Sequence, residues 1–62
     1  MTTAATTYTQ RQANARALIS RLTAALDAHA ERASERPDDW GFVGDVGSVE
    51  ATLQELVVGF GG

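Results

Sequence analysis

Sixty-two residues with no cysteine make one small domain that can hold neither a disulfide framework nor a thiolate zinc site. The net charge of −3 argues against generic nucleic-acid binding, which needs a concentrated basic patch. No run approaches the ~20 apolar residues of a membrane-spanning helix, and the first seven residues lack the basic and apolar regions of a secretory signal, so a cytoplasmic location is expected.

Residues 1–6 are rich in Thr and Ala with nothing to anchor them, and a flexible tail is expected there. Thr7 and Gln10 have the spacing of a capping box, with Thr9 and Gln12 as a second register. A first helix is therefore predicted over 7–35. Alanine is abundant in it and no Gly or Pro interrupts it. At about 100° per residue, Tyr8, Gln12, Ala15, Ile19, Leu22, Leu26, His29, Ala30 and Ala33 fall on one stripe, with Leu18 at its edge. Pro37 disfavours helical angles at Arg36, which sets the stop near Glu35.

Residues 36–45 read as an ordered connector. Gly41, Gly44 and Gly47 recur every third position, too densely for an ordinary helix interior, and are interleaved with Trp40, Phe42, Val43 and Val46. Two uses are open for the rings: plugging the end of a small core, which is favoured, or presenting a recognition surface, since Trp is a common interface anchor. A second helix is predicted over 46–60, capped by Asp45 or, one turn later, by Ser48. Val46, Val49, Leu53, Leu56 and Phe60 step by three and four residues, a seam widened by Val57. Gly59, Gly61 and Gly62 end the helix, leaving 61–62 as a flexible end. The terminal glycine pair is a helix stop rather than a conjugation signal, because the chain lacks the strand pattern of ubiquitin-like modifiers.

The fold class expected is all-α: an antiparallel two-helix hairpin with an ordered Trp/Phe/Gly connector. Such a hairpin wets half of each apolar stripe, and chains this small usually need metal, disulfides or association. With no ligands for the first two, a homodimer forming a four-helix bundle is the simplest closure. Charge supports close helix pairing. Five arginines against three carboxylates make residues 1–36 +2, while residues 37–62 carry five carboxylates and no base.

No stretch assembles a chemistry. His29, the single histidine, has Asp27 and Glu31 near it in sequence but round the side of the helix, and a general base needs an orienting partner and a nucleophile or water beside it. It reads as a core-edge residue; two copies across a dimer seam would make the bundle sensitive to pH. Asp38, Asp39 and Asp45 lack the spacing of a calcium loop, and the glycines follow no strand and precede no lysine, which disfavours a phosphate loop. No enzyme activity, cofactor or metal is expected.

Residues Asp39-Trp40-Gly41-Phe42-Val43-Gly44-Asp45-Val46-Gly47, followed by the apolar seam, resemble a pattern in small uncharacterised bacterial helical-hairpin proteins with a WG-aromatic-VGD connector. The resemblance covers roughly the last 25 residues, implies a bacterial origin and carries no activity. The leading functional expectation is a non-enzymatic protein–protein interaction module, an adaptor or small regulator acting as a homodimer, with another protein as a further partner. Its interface and core candidates are Leu18, Ile19, Leu22, Leu26, Trp40, Phe42, Val43, Val46, Val49, Leu53, Leu56, Val57 and Phe60. The alternative is a nucleic-acid-binding regulator, of RNA more than DNA, using Arg11, Arg16 and Arg21 with Asn14.

Overall fold

A computed structural model of the chain describes residues 2–61; Met1 and Gly62, with the expectations for the two chain ends that fall on them, lie outside the described residues. The described residues form two α-helices and no strand, α1 (Ala4–Ser34) and α2 (Trp40–Phe60). They make a helical hairpin, as the two apolar stripes predicted.

Helix α1 starts four residues earlier than the Thr7 capping box would place it, and residues 4–6 belong to the helix rather than to a tail. Thr3 is the N-cap: its backbone is extended and its hydroxyl oxygen accepts from the Thr6 N–H at 3.1 Å. The Thr3 carbonyl then accepts from the Thr7 N–H at 2.9 Å, the first bond of the ladder. Ala4 and Ala5 propagate the helix at little entropic cost. The second proposed register is also absent, because the Gln12 amide donates to the Tyr8 hydroxyl at 2.9 Å instead of reaching back to a backbone N–H. At the other end Glu35 is the C-cap, donating its N–H towards the Arg32 and Ala33 carbonyls two residues before Pro37.

The connector is shorter than expected. Between the two helices only residues 35–39 are non-helical, so Trp40–Asp45, expected within the ordered connector, instead form the opening turns of α2. Asp39 caps the helix, not Asp45 or Ser48: its carboxylate accepts from the Gly41 N–H at 2.8 Å and its carbonyl from the Phe42 N–H at 3.3 Å. Asp45 and Ser48 lie inside the helix, where the Ser48 carbonyl accepts from the Thr52 hydroxyl. Phe42, Val46, Val49 and Leu53 continue the seam in steps of four, three and four, and this spacing outweighs the roughly 1 kcal/mol that each glycine costs in a helix. The one positive φ among the described glycines is at Gly61 (157°), whose N–H closes the helix on the Val57 carbonyl at 3.2 Å.

The two helices pack only near the turn. Leu22, Leu26, His29 and Ala33 on α1 are partly covered, as are Phe42 and Val49 on α2. Among the described residues none is fully buried. The radius of gyration is 15.9 Å and the extents are 54 × 22 × 14 Å. A close-packed domain of this length would have a radius near 11 Å. The long axis is essentially α1 itself, whose 31 residues rise about 46 Å.

Candidate functional site

The inter-helix contact covers the His29 side chain to 16% exposure. Its ring meets Phe42 edge-on, with centroids 5.3 Å apart and planes at 78°, a geometry that aromatic quadrupoles favour. Its Nε2 lies 3.7 Å from Asp45 Oδ2, beyond hydrogen-bond distance, and is buried with no hydrogen-bond partner. Asp45 is 75% exposed, so water screens this pairing. Leu26 and His29 line an open cleft of about 530 Å³ that Phe42, Val43 and Val46 close from α2. A second, smaller hollow of about 190 Å³ has Leu22, Asp45 and Val49 on its walls. Arg36, Asp39 and Glu50 border the first cleft and Arg32 the second, but none is placed on the imidazole as a nucleophile or an orienting group would be. Among the described residues no group of three or more His, Asp or Glu could hold a metal ion. This arrangement packs the hairpin near its turn.

Most of the apolar seam lies outside that contact. The antiparallel register sets His29 near Asp45 and brings Leu22 and Val49 to one hollow, so the same register would place Ile19 opposite Leu53. The helices separate instead. Leu18, Ile19 and Tyr8 on α1 are exposed, as are Val46, Leu53, Leu56, Val57 and Phe60 on α2; Phe60 is 90% exposed. At about 100° per residue these α2 positions, with Phe42 and Val49, form one unbroken stripe along the helix.

Of the candidate residues, Leu22, Leu26, Phe42 and Val49 are thus brought together, and Leu18, Ile19, Trp40, Val43, Val46, Leu53, Leu56, Val57 and Phe60 are left open. The favoured expectation that both rings of the Trp/Phe stretch plug a core is corrected. Once Trp40 and Phe42 are on a helix they point roughly 200° apart, so only one can face α1. Phe42 does, and Trp40 is 80% exposed on the reverse side of α2. Sequence reasoning missed two roles: Asp45 as the carboxylate facing His29, and Val58 as a second apolar side chain (69% exposed) on the Trp40 side of α2. Both follow from starting the helical wheel at Trp40 rather than at Val46.

Arg11, Arg16 and Arg21 are exposed and succeed one another at roughly 140° round α1, so they do not form one basic face. No described helix is long and apolar enough to cross a membrane. Comparison of the chain with protein families, curated proteins and solved structures finds no match.

Proposed function

We propose that the chain is a non-enzymatic protein-interaction module that works as a homodimer, closing its apolar seams against a second copy and offering the Trp40 side of α2 to another protein. One observation carries this reading: the hairpin exposes 5505 Å², against about 3,900 Å² for a compact protein of its mass. The excess of roughly 1,600 Å² per chain is about twice what each partner contributes to a standard interface, and falls in the range of obligate dimers. Much of the exposed apolar surface lies on the two stripes that also form the intramolecular contact, so covering it extends a seam already begun.

Trp40 is the anchor candidate for a further partner because it faces away from those stripes. Its neighbours one and two turns along α2 are Gly44 and Gly47, which leave the surface beside the indole smooth. The test joins two measurements on the wild-type protein. Sedimentation equilibrium from low micromolar to millimolar concentration should give a dimer mass. The emission of the single tryptophan should stay water-like across the association. A chain that remains monomeric throughout overturns the dimer, and a blue shift on association moves Trp40 from the recognition surface into the dimer interface.

A further inference from the structure

We propose that in the homodimer the carboxyl-terminal half of α2 of one protomer lies along the amino-terminal half of α1 of its partner, acidic helix on basic helix, with the same contact repeated about the twofold axis. This rests on the dimeric reading and adds to it which faces meet. The two segments are left uncovered within one chain, since Leu18 and Ile19 are 59% and 62% exposed and Leu56 and Val57 are both 61% exposed. They match in length: Tyr8 to Ile19 and Val49 to Phe60 each span twelve residues, about 17 Å of helix.

Charge selects between the pairings that would cover them. Tyr8 to Ile19 holds Arg11 and Arg16 with no carboxylate, a charge of +2, whereas Val49 to Phe60 holds Glu50 and Glu55 with no base, a charge of −2. A twofold axis that set these α2 segments together would bring −2 to −2, and one that set the two α1 segments together would bring +2 to +2. Only α1 against the partner's α2 joins opposite fields, and an isologous interface makes that contact twice. Arg11 and Arg16 border the α1 stripe and Glu50 the α2 stripe, so they orient the contact while Ile19, Leu53 and Leu56 supply the buried area; Arg21 and Glu55 lie on the far sides of their helices and add only to the net field.

The test is a charge swap read by sedimentation equilibrium. One variant carries Glu50→Arg and Glu55→Arg, which makes both segments basic; the other carries Arg11→Glu, Arg16→Glu and Arg21→Glu, which makes both acidic. Each alone should self-associate at least tenfold more weakly than wild type. An equimolar mixture should form a 1:1 heterodimer with near wild-type affinity, because every contact then joins opposite signs. Wild-type self-association should also weaken between about 0.05 M and about 0.5 M sodium chloride. A wild-type dimer with no rescue on mixing, or one that tightens with salt, overturns the pairing while leaving the dimer. A wild-type monomer at every concentration overturns both.

Discussion

At the scale of single residues, the glycines of α2 separate what helix-breaking chemistry costs from what it forbids. A Cβ at Gly44 or Gly47 would meet nothing within 4 Å, whereas one at Gly41 would lie 2.9 Å from Asp39 Oδ1, the oxygen that caps the helix. Gly44→Ala and Gly47→Ala should each stabilise the helix by about 1 kcal/mol, the propensity difference alone. Gly41→Ala should gain little or nothing, because the methyl group displaces the capping carboxylate and forfeits about the same amount. Asp39→Ala should cost about 1 kcal/mol by removing the cap directly. Thermal melts followed by circular dichroism at fixed concentration check all four; equal gains at Gly41 and Gly44 would contradict the capping geometry. These residues also mark where the sequence was hardest to read. Three glycines at intervals of three carry a strong loop signal, and the opposing signal lay in Phe42, whose spacing to Val46 extends the seam one turn upstream. Pro37 was legible because it acts alone: no helical alternative competes with a ring that fixes φ and removes a donor.

At the scale of the helices, α1 was largely legible and the pairing only partly so. The long alanine-rich stripe with no interruption leaves few alternatives to a helix, and the expected Leu22, Leu26 and His29 face is the one that meets α2. Which α2 residues meet it depends on where α2 begins, and the cap is Asp39 rather than either expected residue, Asp45 or Ser48. With Asp39 as cap, Asp45 is free to face His29. The imidazole Nε2 is then covered by protein without a hydrogen bond, which leaves a polar atom desolvated and unrepaid. Replacing His29 with Leu removes that atom while keeping an apolar contact with Phe42. The expected outcome is a gain of about 1 kcal/mol in hairpin stability, read as a rise in urea midpoint with an unchanged slope. A lower midpoint would mean that the edge-on ring contact with Phe42 and the attraction to Asp45 together outweigh the unpaired nitrogen. Asp45→Asn at the same site should change stability by less than about 0.5 kcal/mol, since the carboxylate is largely in water.

At the scale of the whole molecule, the absence of a buried core among the described residues turns an ordinary substitution into a probe of assembly. Leu56 is 61% exposed in the hairpin, and glutamate is as good a helix former as leucine. For an isolated chain Leu56→Glu should therefore alter stability by no more than about 0.5 kcal/mol. If the seam is buried against a second copy, the same change places a carboxylate in an apolar interface and should weaken association more than tenfold. Trp40→Ala, which removes a larger side chain from the opposite side of α2, should leave association within about twofold. The contrast is informative because exposure in the hairpin alone predicts the reverse order: Trp40 is the bigger apolar group and is 80% exposed, so its removal should be the more visible. Helicity measured across a concentration series supplies the thermodynamic side of the argument. Ordering two long helices costs conformational entropy that a contact confined to the turn offsets only in part. The wild-type chain should thus gain helicity and thermal midpoint as concentration rises, and Leu56→Glu should gain neither. Concentration-independent helicity in both proteins would mean that the hairpin stands without a partner.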